Sequence, residues 1–187
     1  MQGKDVCPRN LTVLVSNEMN EYTISRLIKK GAPVDVWGVG TNLVTGHPES
    51  ALSGVYKLAA LQTDSGWKAV YKTSDDRQKR NLPGIKQVYR YSRDGNPFCD
   101  VIGSEEGEPE IFYHKGRQVK LPAGCVCRPL QTLKMKEGTR TTVSPDINAI
   151  RQNTLRNLNA LPERYCKLRN PAVYPVCISG DLQQMIR

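Results

Sequence analysis

The spacing of apolar positions changes character along the chain, and each change marks an element. "LTVLVSN" (residues 11–17) is an almost continuous aliphatic and β-branched run, the pattern of a short strand covered on both faces. Asn20 then offers an N-cap to a helix over residues 21–30, whose inward side carries Ile24, Leu27 and Ile28. Gly31 stops that helix, Pro33 prevents its resumption, and "VDVW" (34–37) follows as a second buried strand. Strand, helix and strand with short joints form a βαβ unit, which makes the two strands parallel through a right-handed crossover. Ser16-Asn17 and the turn from Gly38 to Thr41 then leave the sheet at the same edge, where α/β proteins bind ligands.

From Gly54 the pattern changes to hairpins. "GVYKLAAL" and "WKAVYKTS" flank "QTDSG", "QVYRYS" and "PFCDVIG" flank "RDGN", and "IFYH" and "RQVKLP" flank "KG". "GSEEGEPE" between them is acidic and turn-rich, and reads as a surface loop. From Ser144 the chain turns helical: Ser144-Pro145-Asp146 gives a cap, a first-turn proline and an early carboxylate, and Ile147, Ile150, Leu155, Leu158 and Leu161 lie along one side. Pro162 ends that helix, and "PERYCKL" and "SGDLQQMIR" read as further short helices. The expectation is an α/β segment over 1–53, an antiparallel β-rich region over 54–143 and a helical tail over 144–187. Two parallel strands leave faces and edges uncovered, so further sheet material upstream is expected as well.

Composition changes this picture little. The 187 residues carry a formal net charge of +9, but the basic positions of the second half are dispersed, as on solvated faces, and no nucleic-acid module accompanies them. No apolar run approaches the roughly 20 residues of a membrane span, and the opening "MQGKDVCPRN" has no hydrophobic signal segment, so a cytoplasmic protein is expected. Six cysteines, Cys7, Cys99, Cys125, Cys127, Cys166 and Cys177, are accordingly expected as reduced thiols. "CVC" (125–127) reads as strand positions facing opposite sides, and no second pair completes a zinc spacing.

Candidate chemistry is confined to the sheet edge. Gly38 and Gly40 let backbone N–H groups approach an anion without a Cβ in the way, and Thr41 adds a hydroxyl donor. On spacing alone a structural turn remains the favoured reading of "GVGT", which lacks the third glycine of a dinucleotide fingerprint and the Gly-Lys-Ser/Thr of a P-loop. Ser16 and Asn17 suit a ribose or phosphate as well as they suit a helix start. Lys72, Ser74, Asp75 and Asp76 form a polar cluster after a strand whose paired carboxylates could hold magnesium, though a solvated strand end explains it better. His47 and His114 are too far apart to suggest a metal pair, and no residues emerge as a nucleophile with its base.

The ordered segments "SNEMNEYTISRLIKKGAPVDVWGVGTNLVTG", "ALSGVYKLAAL", "YKTSDDRQKRNLPGIKQVYR" and "RNPAVYPVCIS" resemble the successive signatures of nicotinate phosphoribosyltransferase over nearly the whole chain. The resemblance implies the last part of an irregular parallel α/β barrel followed by an antiparallel sheet and C-terminal helices, with an N-terminal lobe and most of the barrel upstream in longer relatives. It implies an enzyme of NAD biosynthesis that joins nicotinate and phosphoribosyl pyrophosphate with the help of ATP and magnesium, usually as a homodimer. By the same resemblance Thr41 contacts the phosphoribosyl phosphate, with backbone contacts from Gly38, Val39 and Gly40, and Ser16 and Asn17 form a second polar turn nearby. The family's phosphorylated histidine matches neither His47 nor His114 and falls outside this sequence, as do the nicotinate-binding residues. Arg77 and Asn81 depart from the family's pattern in a segment that reads as structural. The alternative reading is an inactive remnant, or a binding and dimerisation module of the same fold.

Overall fold

The computed structural model describes residues 11–51, 54–75 and 80–186. The chain divides into two compact units, Met1–Val55 and Tyr56–Arg187. Cys7, Asp76 and Arg77 lie outside the described residues.

The first unit contains strand β1 (Leu14–Val15), helix α1 (Glu21–Lys29), strand β2 (Val36–Trp37) and helix α2 (Thr41–Thr45). β1 and β2 pair in parallel, Leu14 opposite Val36 and Val15 opposite Trp37. The start of this pair is tied by the Asp35 carboxylate, which accepts the Val13 N–H at 2.8 Å. Asn20 caps α1 by accepting the Thr23 N–H at 2.9 Å, and Gly31, at φ +72°, takes the left-handed turn that follows. The strands are shorter than the apolar runs suggest, and Leu14 is 60% exposed instead of covered on both faces. Ile24 and Leu27 are half-buried while Ile28 is exposed.

The second unit opens with a separate hairpin, β3 (Ala60–Thr63) and β4 (Gly66–Ala69). Residues 54–59, expected as part of its first strand, lie outside it; their neighbours are stitched instead by Asn81, whose amide accepts from the Lys72 N–H at 2.8 Å and donates to the Leu58 carbonyl at 3.0 Å. The main sheet comprises β5 (Lys86–Arg93), β6 (Asn96–Ser104), β7 (Phe112–His114), β8 (Arg117–Gln118), β9 (Val126–Pro129) and β12 (Val176–Ser179), in the order β8-β7-β12-β6-β5-β9. Its tight turns are built from an L-residue and a glycine both at positive φ: Asp94-Gly95 between β5 and β6, and Lys115-Gly116 between β7 and β8. A further small hairpin, β10 (Met135–Lys136) with β11 (Thr139–Arg140), uses Glu137-Gly138 in the same way.

β12 corrects the sequence expectation twice. It lies inside the stretch read as a helical tail, and it pairs in parallel with β6 and antiparallel with β7, so the sheet is mixed and not antiparallel throughout. The physical reason is that its partners lie far away in sequence, so no turn announces it. Helix α3 (Ile147–Asn159) is capped by Asp146, not Ser144: the carboxylate accepts the Asn148 and Ala149 N–H groups at 2.8 and 3.0 Å. "PERYCKL" gives a single 3₁₀ turn, Glu163–Tyr165, and α4 (Gly180–Met185) follows β12 directly.

The core lies on one face of this sheet. Tyr89, Tyr91, Cys99, Val101, Phe112 and Cys177 are buried together, with the Tyr91 and Phe112 rings stacked at 5.2 Å. Leu182 of α4 is buried as well, on a helix that packs against β12 and β6. Gly103 permits the loop after β6 to lie flat on the sheet: a Cβ there would stand 2.7 Å from Pro109 Cγ. The two buried tyrosines satisfy their hydroxyls on that loop's side, Tyr89 donating to the Ser104 carbonyl at 2.8 Å and Tyr91 to the Pro109 carbonyl at 3.0 Å. Cys125 and Cys127 are both half-buried while Val126 between them is exposed, so the two thiols share a side instead of facing opposite ones, as a two-residue period requires.

Candidate functional site

The parallel register of β1 and β2 decides which residues leave the first unit's sheet together. The last strand pair is Val15 with Trp37, and the Gly38 N–H then donates to the Val15 carbonyl at 2.8 Å. Gly38 therefore runs directly beside Ser16, so close that a Cβ on it would lie 2.9 Å from Ser16 Cβ. Asn17 and Glu18 continue at φ +75° and +51°. Two consecutive left-handed residues, one of them a glutamate, form a costly backbone of the kind that persists where surrounding structure imposes it.

On the other side, Gly40 precedes α2, and its carbonyl accepts the Leu43 and Val44 N–H groups at 3.0 and 3.1 Å. Thr41 is the first helical residue and is exposed. Its neighbour Asn42 reaches across, the side-chain amide donating to the Met19 carbonyl at 3.0 Å. Ser16, Asn17, Glu18, Met19, Gly38, Val39, Gly40, Thr41 and Asn42 line one recess of about 580 Å³. Every site residue expected from the sequence borders it; Glu18, Met19 and Asn42 are the additions. The signal for Asn42 was its place directly after the glycine-threonine turn, where a short amide can reach a neighbouring backbone.

The recess mixes polar and apolar surface, carries no Lys or Arg among its lining residues, and has Glu18 as its acid. Anion binding there depends on backbone N–H groups, hydroxyls and amides, not on a cationic side chain. His47 stands at the end of α2, where its N–H donates to the Asn42 carbonyl at 3.1 Å, and His114 Nδ1 lies 3.1 Å from the Val176 carbonyl. Asp75 is described and Asp76 is not, so the proposed carboxylate pair there is not assembled among the described residues. Among those residues, no group of three or more His, Cys, Asp or Glu side chains could hold a metal ion.

A second polar group, missed in the sequence, occupies the face of the main sheet opposite its core. Arg90 and Asp100 are direct cross-strand partners, and Arg90 Nε and Nη2 donate to the two carboxylate oxygens at 2.8 Å each. The Tyr174 hydroxyl donates to Asp100 Oδ1 at 3.1 Å, and its ring meets Tyr165 edge-on at 5.3 Å. The hydrogen-bonded carboxylate raises the Arg90 guanidinium above its usual pKa, and burial followed by Asp100 raises the Tyr174 phenol. The Arg90–Asp100 pair pins β5 to β6, and Tyr174 ties the chain ahead of β12 to the same carboxylate. The recess of about 480 Å³ bordered by Glu106, Glu108, Glu110 and Asp181 lies at the loop after β6 and the start of α4.

The family model for the "Nicotinate phosphoribosyltransferase C-terminal domain" matches residues 85–186. The chain belongs to the nicotinate phosphoribosyltransferase family. It is 32% identical over 178 residues to the nicotinate phosphoribosyltransferase of Bacillus subtilis, covering 90% of this chain and 36% of that protein. Against the human nicotinate phosphoribosyltransferase the identity is 31% over 189 residues, 95% of this chain and 34% of the relative. The crystal structure of human nicotinic acid phosphoribosyltransferase matches with a TM-score of 0.65 and 26% identity, over 94% of this chain and 32% of that one. The chain thus spans about a third of the length of the nicotinate phosphoribosyltransferases it matches. The family model covers the main sheet but not the glycine turn; the matches to full-length relatives, at 90–95% of this chain, extend into the first unit. Among the described residues, no helix is long and apolar enough to cross a membrane.

Proposed function

We propose that this chain supplies the phosphoribosyl-phosphate cradle and the C-terminal domain of a nicotinate phosphoribosyltransferase, which joins nicotinate to phosphoribosyl pyrophosphate in NAD biosynthesis. In that reaction the bond from the ribose anomeric carbon to pyrophosphate breaks and one to the nicotinate ring nitrogen forms, releasing pyrophosphate. The observation that carries the reading is the meeting of Ser16-Asn17 and Gly38–Thr41 at one recess, in a chain whose relatives bear that enzyme's name. Gly38, Val39 and Gly40 offer backbone N–H groups to the phosphate, Thr41 donates its hydroxyl, and Ser16 and Asn17 serve the ribose side. Their contribution is binding and orientation, and no residue of this chain is assigned as nucleophile or general base. In this reading β1, α1 and β2 belong to the end of an irregular α/β barrel, and the enzyme is a cytoplasmic homodimer.

ATP and magnesium enter as co-substrate and as the ion carried by phosphates. The described residues assemble no ligand set for that ion, so no step is routed through it. The absence of Lys and Arg from the recess lining leaves charge balance to groups other than these turns.

Titration calorimetry of the chain with phosphoribosyl pyrophosphate tests the cradle. Thr41→Ala lowers donor affinity about tenfold or more, since a hydrogen bond to a charged group contributes about 1.5–3 kcal/mol; unchanged affinity sinks the assignment. The rival reading is an inactive remnant, or a binding or dimerisation module of the same fold, without turnover. Formation of nicotinate mononucleotide by the purified chain excludes it.

A further inference from the structure

We propose that Asn42 is a positioning residue: it sets the separation of the two turns and thereby makes the recess select a ligand that spans both, a ribose phosphate, over a bare phosphate. The proposal rests on the phosphoribosyl reading of this recess. At the sheet side, the two turns are fixed by backbone, through the Gly38 N–H on the Val15 carbonyl at 2.8 Å and the close approach of Gly38 to Ser16. Beyond that point the chains diverge. The Ser16–Met19 turn contains the left-handed pair Asn17 and Glu18, and Glu18 has no intrinsic preference for that region. The tie on the far side is the Asn42 side chain on the Met19 carbonyl, at 3.0 Å and partly buried.

Both ends of this tie are themselves anchored. The Asn42 carbonyl accepts the His47 N–H at 3.1 Å and the Gly46 N–H at the end of α2. Met19 directly precedes Asn20, which caps α1. Asn42 consequently links the starts of two helices, and a shift of one turn is transmitted to the other. A phosphate seated on Gly38–Thr41 needs only its own turn. A ribose phosphate that also meets Ser16 and Asn17 needs both turns at a fixed distance, and ordering a loose loop on binding would subtract from its affinity.

The test is a titration of the ¹⁵N-labelled 187-residue chain, followed by NMR, with inorganic phosphate and with ribose 5-phosphate. Asn42→Leu keeps the size and neutrality of the side chain and removes the donor; Asn42→His restores an N–H at nearly the same place. The expected result for Asn42→Leu is ribose 5-phosphate affinity reduced about five- to tenfold, with phosphate affinity changed less than about twofold and most of the loss recovered in Asn42→His. Equal weakening of both ligands would assign Asn42 a merely structural role and overturn the proposal, and so would unchanged ribose 5-phosphate binding. Failure of the unsubstituted chain to bind either ligand overturns the phosphoribosyl reading itself, and the selectivity proposal with it. Should Asn42→Leu disturb amide shifts throughout α1 and β1, Asn42→His decides: loss of phosphate binding as well as ribose 5-phosphate binding in that folded variant overturns the proposal, and retention of both supports it.

Discussion

In the unit from Tyr56 onward the sheet closes over Tyr91, Val101, Phe112, Cys99 and Cys177, each nearly inaccessible to solvent; in the unit before it, no described residue is fully buried. The β-rich unit holds its shape by packing, the N-terminal unit by backbone pairing, a helix cap and short side-chain ties such as Asp35 on Val13 and Asn42 on Met19. The candidate site belongs to the N-terminal unit. A recess made from turns at a strand edge needs approach and hydrogen bonding more than it needs a core, whereas the β-rich unit has the apolar payload of a scaffold.

The contrast can be broken most forcefully from the packed side. Phe112→Ala removes a stacked, buried ring, and is expected to cost about 3–5 kcal/mol, read as a lower midpoint in urea unfolding followed by near-UV circular dichroism. Ribose 5-phosphate binding in the folded fraction should stay unchanged if the two units are as different as described. A smaller effect should come from alkali. Burial pushes the Cys99 thiol up to about 12 and Cys127 up to about 11, from 9.0 in the open chain. The folded state thus keeps protons that the unfolded state gives up, so this contribution is complete below about pH 9 and declines as pH rises toward the folded values. Urea midpoints between pH 8 and 11 should fall, and Cys99→Ala should flatten the decline; a parallel decline in that variant would refute the thiol explanation. Gly38→Ala should act on the opposite unit, forcing Ser16 away and costing about 1–3 kcal/mol of local strain. Its signature is weakened ligand binding with the unfolding midpoint of the β-rich unit unmoved. Asn20→Ala, the smallest change, should cost about 1 kcal/mol through the lost cap, seen as faster amide exchange in α1 alone.

Legibility in the sequence followed the same division. Local chemistry was readable: Asn20 as a cap, Gly31 as a stop, and Asp94-Gly95 and Lys115-Gly116 as hairpin turns, because each acts within a few residues. The convergence of Ser16-Asn17 and Gly38–Thr41 was readable too, since parallel pairing sends both strand ends to one edge. Pairing at long range was not. Nothing near Val176–Ser179 identifies Asp100–Ile102 as its partner, so a short strand is absorbed into a tail read as helical. Arg90 and Asp100 become partners only through the register of β5 and β6, which no local pattern announces. Asp146 displaced Ser144 as the cap of α3 because both residue types cap helices well, and only geometry separates them.

The seat of β12 between β6 and β7 also governs the order in which the sheet can be completed. As the polypeptide leaves the ribosome, β5 and β6 can form their hairpin early, but β6 keeps a bare edge until residues 176–179 have been synthesised. A premature stop codon ahead of Val176 would therefore do more than trim a tail: it would remove an interior strand and leave both β6 and β7 with edges open to pairing with other nascent chains.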